Sequence, residues 1–449
     1  LRKLENFTYS RALVLGLAKS GTAAAKLLLQ EGLEVRVNDK KADEGDEMVQ
    51  ELAAHGAEVI AGSHPLSVLD GIEVVVKNPG IPYTNPVVQE ALLRKIPMIT
   101  EIELAGQLAE GTIIGITGSN GKTTTTTLTV EMLRESNQPA KVAGNIGKVA
   151  TEVAQTLSKQ ESLVLELSSF QLMGIDTFRP RVAVLLNIFE AHLDYHQTFE
   201  NYKQAKFNLF RNQTKDDYLI YNADDPHLKE AVKLAASRTI PFSVQRKVED
   251  GAWIEDGAVF FLGEKVMDLD EIVLVGDHQL ENALAALAAA KLSGATNEGI
   301  RAVLTSFAGV KHRLQFVDKI HGRLFYNDSK ATNILATQKA LDSFQQPTIL
   351  LAGGLDRGNE FTELGSYLSN VKAMVVFGET ADKLKTAGEE AGVPVIENAG
   401  DVKKAAQIAY TLSEKNDVIL LSPACASWDQ YRTFEERGDM FIQAVHTLM

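Results

Sequence analysis

The chain has one cysteine, Cys425, in 449 residues. No internal disulfide can form, and that scarcity suits a reducing, cytoplasmic setting. No apolar run approaches the ~18 residues that cross a bilayer, so membrane insertion is not expected. Basic residues are in deficit, with 45 Lys and Arg against 59 Asp and Glu and a formal charge of −14. Phosphate backbones are bound by clustered Lys and Arg, so a nucleic-acid partner is excluded, and docking on anionic lipid is disfavoured. The visible N-terminal stretch, residues 1–10, is polar and lacks the apolar core of a signal peptide. Internal repeats, low-complexity tracts and long charge runs are also missing.

What remains is an ordinary globular composition, 45% hydrophobic and 23% charged. The length is too great for one core and predicts roughly two to four domains. The most informative stretch is TIIGITGSNGKTTTTTLTV, residues 112–130. It reads as a β-branched strand, a glycine-bounded loop and a helix opening on Lys122 and Thr123. Backbone N–H groups of such a loop (Gly118, Ser119, Asn120, Gly121), with the helix N-terminus at Thr123 and Thr124, form a phosphate site. Lysine there reaches the β/γ-phosphates and the next hydroxyl suits Mg²⁺. The spacing departs from G-x-x-x-x-G-K-[ST], because Ile116 stands where the first glycine would be. ATP or GTP is the expected ligand. A kinase, an ATPase and a non-enzymatic nucleotide binder all remain open on this loop alone.

Three glycine-punctuated units follow one another. The first opens on ALVLGLAKSGTAAAKLLLQEG at 12–32, a strand, a turn and an Ala-rich helix. Further strands end at Asp39 and just before Asn78, an alternation that predicts a parallel sheet covered by helices. Its turn is similar to the dinucleotide fingerprint, yet Ala18 replaces the middle glycine. A related diphosphate, such as a UDP-sugar, fits better than NAD(P), and Asp39 stands at about the distance of a ribose contact.

In the second unit, SLVLELSS at 162–169 places Glu166 near a strand end, where a metal ligand is a better reading than a solvated charge. The loop after the next strand carries Asn187 and His192. His192 and His196 are four apart, but no glutamate completes a zinc motif; His192 alone reads as a ligand or donor and His196 as a surface residue. FENYKQAKFNLF at 199–210 has helical periodicity. Lys206 lies close to its apolar stripe and reads, by itself, as a lysine snorkelling from a helix edge. The third unit, from about Val310, ends its strands in polar residues, and Asp328, Lys330 and Arg357 supply charges for an anionic substrate. Cys425 reads as structural, since no histidine partner is near it in sequence.

Together these segments resemble the Mur ligases of bacterial peptidoglycan synthesis, specifically those that add D-glutamate. The likeness runs through GLAKSG (16–21), TGSNGKTT (117–124), GNIG (144–147), LELSSFQL (165–172), NIFEAHLDYH (187–196), YKQAK (202–206), HR (312–313), NDSKATN (327–333) and SPACASWDQ (422–430). It implies an α/β fold of three domains: a Rossmann-like UDP-sugar domain (1–106), a P-loop-type ATP domain with a mainly parallel sheet (107–309), and a Rossmann-like domain (310–449) that closes over the site with the amino acid. It also implies a cytoplasmic monomer that joins D-glutamate to UDP-N-acetylmuramoyl-L-alanine at the expense of ATP.

The site residues implied by the resemblance are specific. Lys122 would meet the γ-phosphate, with Thr123 and Glu166 on one Mg²⁺; His192 and a carbamylated Lys206 would serve a second Mg²⁺. Asn282, Arg313 and Asp328 would hold the nucleotide. Lys19, Ser20, Asp39, Lys40, Asn78, Asn145 and His192 would meet the UDP substrate. Lys330 would act at the reacting carboxylate, and Thr332, Arg357, Ser427 and Phe434 would surround D-glutamate. Arg357 stands where the family's better-known pattern has lysine, and guanidinium and ammonium are not interchangeable.

Overall fold

The computed structural model of the chain describes residues 2–4 and 7–448. Leu1, Glu5 and Asn6 of the polar N-terminal stretch therefore lie outside the described residues. The chain separates into two compact units, Leu1–Ile272 with Glu281–Thr305, and Val273–Leu280 with Ser306–Met449. The first unit holds two sheets and the second holds one, giving a three-domain α/β fold with mostly parallel strands.

The first sheet contains β1 (Arg11–Leu15), β2 (Glu34–Asp39), β3 (Glu58–Ala61), β4 (Val74–Lys77) and β5 (Met98–Ile99) in the order β3-β2-β1-β4-β5, all parallel. The β1 and β4 apolar runs are buried because helices cover both faces of the sheet. The chain reverses its winding between β1 and β4, the position where such sheets open a crevice at their C-terminal ends. Here the Gly16–Gly21 turn leads into the helix Lys19–Gln30. Gly21 is required by packing, since a Cβ there would collide with the Gly16 carbonyl.

The second sheet contains β6 (Thr112–Thr117), β7 (Ala140–Gly144), β8 (Ser162–Glu166), β9 (Val182–Leu185), β10 (Tyr218–Asn222) and β11 (Arg238–Ser243). It is extended by β12 (Ala252–Glu255), β13 (Ala258–Phe261) and β14 (Glu264–Asp268). Its order is β14-β13-β12-β11-β10-β9-β6-β8-β7, parallel except for the β12–β14 meander at one edge. The strands β6, β8 and β9 are central and buried, so their C-terminal ends converge on one patch.

The third sheet comprises β15 (Gln315–Ile320), β16 (Arg323–Asn327), β17 (Thr348–Gly353), β18 (Val371–Phe377), β19 (Val395–Gly400) and β20 (Val418–Leu421), ordered β15-β16-β20-β17-β18-β19. Only β15 runs antiparallel, paired with β16. The loops after β16, β17 and β20 therefore leave from one edge. No helix among the described residues is long and apolar enough to cross a membrane.

Candidate active site

The loop after β6 is held open from behind by Asn187. The Ser119 N–H donates to the Asn187 carbonyl at 2.9 Å, and the Asn120 N–H to its side-chain oxygen at 2.9 Å. Gly121 caps the helix Lys122–Glu135 with φ +84°, a left-handed conformation that glycine adopts without strain. A Cβ there would also collide with Asn282, which is how Asn282 comes to stand against the loop. Thr123 is half-buried in the first turn, and Thr124 is buried.

Two lysines converge on this loop. Lys122 donates to the carbonyls of Gly118 and Ser119 at 2.8 and 3.0 Å. Lys206 donates to the same Gly118 carbonyl at 2.9 Å and lies over the Tyr202 ring, 4.7 Å from its centroid. The expected snorkelling lysine is thus corrected: Lys206 is 2% exposed. The helix Phe199–Phe207 packs the side of itself that bears Lys206 against the end of β6, a placement no helical wheel reveals. Burial first, then the Lys122 charge, pushes the Lys206 amine well below the ordinary lysine range. His192 sits at the start of a short helix with φ +55°. Its pKa is lowered by burial first and then by Lys206, with a smaller effect of Lys122, so the neutral imidazole, the form that ligates metals, is favoured.

Glu166, at the end of β8, is 2% exposed. One carboxylate oxygen accepts from the Asn145 amide at 2.7 Å; the other is buried without a hydrogen-bond partner. An unpartnered buried carboxylate oxygen is costly and fits a site built for a hard cation. No three His, Cys, Asp or Glu side chains cluster as a metal cage among the described residues. Such a cage is not needed for Mg²⁺, which keeps waters and substrate oxygens around one or two protein ligands.

His196 is a second correction. It is buried, 3% exposed, with Nε2 at 2.9 Å from the Ser169 hydroxyl and its ring stacked on Phe170. Burial lowers its pKa to about 4. Its place in an aromatic knot with Phe170, Tyr195 and Tyr202 explains why it is not a surface residue.

Two cavities lie beside this loop system in the same unit. One, of about 670 Å³, is lined by Gly16, Ala18, Asp39, Lys40, His64 and Asn78 at the crevice of the first sheet. Burial opposes the Asp39 charge, but N–H donors from Leu17, Lys41 and Ala42 outweigh it and hold the carboxyl below its usual range. The other, of about 600 Å³, brings Lys19, Ser20 and Asn78 together with Asn145 and Lys148. Six of the residues expected at a UDP substrate thus line two adjoining hollows, sharing Asn78.

In the second unit, Asp328 follows β16 and is buried. Its oxygens accept from the Leu314 N–H at 3.1 Å and the Ser422 hydroxyl at 3.0 Å, and burial raises its pKa to about 7. Lys330 lies 4.4 Å over the Phe434 ring, and Arg357 lies 4.9 Å over the Trp428 ring. Thr332 donates its N–H to the Lys330 carbonyl, and the Ser427 hydroxyl is buried without a partner. Cys425 is buried, with its thiol pushed up to about 11, as a structural residue would be. Arg437 is a residue that sequence reasoning missed. Fully buried, it donates to the carbonyls of Ser329, Gly353 and Cys425 and to the Ser329 hydroxyl. It binds together the three loops that carry Lys330, Arg357 and Ser427; its only sequence signal is an arginine on the apolar face of the helix Phe434–His446.

Three family models match in series: the Mur ligase MurD-like N-terminal domain over 10–100, the Mur ligase middle domain over 116–290, and the Mur ligase glutamate ligase domain over 312–425. A protein of Oceanobacillus iheyensis named UDP-N-acetylmuramoylalanine–D-glutamate ligase is 62% identical over 99% of both chains. The chain belongs to the Mur ligase family. A Geobacillus kaustophilus relative of the same name is 57% identical over 98% of both chains. Among solved structures, the fold is shared with the Thermotoga maritima Mur ligase UDP-N-acetylmuramate-alanine ligase MurC (TM-score 0.58, 16% identity, 98% of this chain and 100% of that one). The Thermotoga maritima MurF ligase, solved in complex with ADP, aligns over 98% and 99% with TM-score 0.57 at 20% identity.

Proposed function

We propose that this Mur ligase joins D-glutamate to UDP-N-acetylmuramoyl-L-alanine, releasing ADP and phosphate, as a step in making peptidoglycan precursor. The observation that carries the reading is full-length identity of 62% and 57% to relatives named for that reaction. A carboxylate resists direct amidation because hydroxide or oxide is a poor leaving group. Transfer of the ATP γ-phosphoryl to the alanyl carboxylate gives an acyl phosphate and ADP. The D-glutamate amine then attacks the acyl carbon, and phosphate leaves. Positioning and charge stabilisation supply the catalysis, with no protein nucleophile.

The roles proposed here are those the family resemblance implies, and the placements above support them. Loop 118–121 and the helix N-terminus at Thr123 and Thr124 cradle the triphosphate, Lys122 neutralises its γ-end, and Asn282, Arg313 and Asp328 hold the nucleotide. Bound Mg²⁺ would offset charge on the phosphate oxygens. Thr123 and Glu166 would hold one ion, the unpartnered Glu166 oxygen being the supporting observation; His192 and a carbamate of Lys206 would hold the other. Burial lowers the pKa of the Lys206 amine and so favours the neutral form that can add CO₂. The N–C bond forms, one proton leaves the nitrogen, and the carbamate gains charge −1 and two oxygen donors. Lys19, Ser20, Asp39, Lys40, Asn78, Asn145 and His192 take the UDP substrate. Lys330 meets the reacting carboxylate, and Thr332, Arg357, Ser427 and Phe434 take D-glutamate.

The test is ADP release with UDP-N-acetylmuramoyl-L-alanine and either glutamate enantiomer. D-glutamate should be preferred by roughly 10⁴ or more, the discrimination available to matched buried polar groups. Equal use of L-glutamate, or ADP release without acceptor, would overturn the reading. In CO₂-depleted buffer the rate should fall and return with bicarbonate; an unchanged rate would remove the carbamate.

A further inference from the structure

Lys77 is a buried cation that the reaction above does not use. It ends β4 after three valines and is 1% exposed. Among the described residues no carboxylate pairs with it. Its ammonium donates instead to the carbonyls of Ile81, Asn78 and Pro79 at 2.7, 3.2 and 3.4 Å, and to the Tyr195 hydroxyl at 3.0 Å. The rings of Tyr83 and Tyr195 flank it, with centroids at 4.9 and 5.8 Å. Tyr195 lies within 2.9 Å of the Ile81 carbonyl and 3.0 Å of that of Pro79, to either of which its hydroxyl can donate. A lysine removed from water without a counter-ion is expensive, and only a full set of acceptors offsets it. Burial accordingly lowers its pKa to about 7.

The two sides of this cluster belong to two different parts of the site. Residues 78–82 are the loop that lines both cavities beside the first sheet, through Asn78, Pro79, Gly80, Ile81 and Pro82. Tyr195 belongs to the loop of the second sheet that begins at Asn187 and carries His192. Phe170 meets both, its ring centroid 4.5 Å from that of Tyr195 and 5.0 Å from that of His192, each edge to face. Phe170 also lines the cavity shared by Asn78 and Asn145. A continuous set of contacts thus runs from the 78–82 loop through Lys77, Tyr195 and Phe170 to His192.

We propose that Lys77 and Tyr195 form a clasp that sets the position of the His192 loop against the 78–82 loop, so that they are positioning residues for acceptor binding and turnover. The proposal rests on the functional reading above. Side-chain burial alone does not require this arrangement: a methionine at Lys77 would fill the same space, and it would leave three loop carbonyls and the Tyr195 hydroxyl without their shared donor.

The experiment compares wild type, Tyr195→Phe, Lys77→Met and the double variant, using the full chain. Tyr195→Phe removes one oxygen and keeps the ring packing. It should lower kcat/KM for the UDP acceptor about tenfold and weaken acceptor binding measured calorimetrically without nucleotide. ADP binding measured without acceptor should not change. The double variant should lose no more than the worse single variant, because both break one clasp. Kinetic constants and acceptor affinity equal to wild type in Tyr195→Phe overturn the clasp, as does a multiplicative loss in the double variant. If Lys77→Met does not fold, Tyr195→Phe still decides. A wild type that neither binds nor turns over the acceptor overturns the functional reading together with the clasp.

Discussion

At the C-terminal edge of the second sheet, two lysine side chains crowd one carbonyl: Lys122 and Lys206 both donate to Gly118 O, at 2.8 and 2.9 Å. Nearby, Glu166 keeps a buried oxygen with no partner. At the corresponding edge of the third sheet, the buried charged groups Arg437 and Asp328 are satisfied, although the Ser427 hydroxyl is buried without a partner. Arg437 spreads its donors over three carbonyls and a hydroxyl, and both oxygens of Asp328 accept hydrogen bonds. One edge holds a buried carboxylate oxygen that a cation would satisfy. The other spends its charge on fixing loops. The same topology can thus serve as a receptor or as a frame, and variants at the two edges should fail differently.

The largest effect is expected at the receptor edge. Lys122→Ala should lower ADP release by on the order of 10²–10³, the usual loss for one preorganised electrostatic donor. Its melting temperature should change little, because Lys206 still donates to the Gly118 carbonyl. Near-normal turnover in a folded variant would break the assignment of that edge. The reverse pattern belongs to the frame. Arg437→Met keeps most of the packed length but leaves the Ser329, Gly353 and Cys425 carbonyls short of a donor. An unsatisfied buried acceptor costs about 1–3 kcal/mol, and partial rehydration lowers the sum, so a loss of about 3 kcal/mol in urea unfolding is expected. Undiminished stability would mean that Arg437 is not the tie it resembles.

The receptor edge was far more legible in the sequence than the frame. TGSNGKTT announces a phosphate loop because glycine, lysine and threonine at those spacings have a local purpose, and Glu166 stood out as a charge ending an apolar run. The parallel sheets were legible for the same reason, through buried valine and leucine strands ending in polar residues. Lys206, His196, Lys77 and Arg437 were misread or missed because their meaning depends on carbonyls and rings brought in from distant segments. A lysine at a helix edge and a lysine buried over Tyr202 have the same local pattern. For Lys77 the only hint was a cation directly after three valines, ahead of Asn78-Pro79-Gly80.

The smallest effect sharpens the frame side of the comparison through pH. Asp328 has a pKa raised by burial from 3.8 to about 7 in the folded chain. Between those values the folded state keeps a proton that the unfolded state has released. The unfolded chain therefore binds fewer protons, and stability falls as pH rises, by at most ~1.4 kcal/mol per pH unit from this group. Above about pH 7 its contribution levels off. Glu101, also raised to about 7 by burial, adds a slope of the same sign in the other unit, so the wild-type curve alone does not isolate Asp328. Asp328→Asn does. The amide can still accept from the Leu314 N–H and can donate to the Ser422 hydroxyl, which keeps the local geometry while removing the titration. Urea unfolding from pH 4 to 8 should give a variant slope more positive than the wild-type slope by about one proton below pH 7, and equal to it above. Parallel curves throughout would show that Asp328 titrates as an ordinary carboxylate. In that case the third-sheet edge would hold its charge open to ligand as the second does, and the contrast between frame and receptor would rest on Arg437 alone.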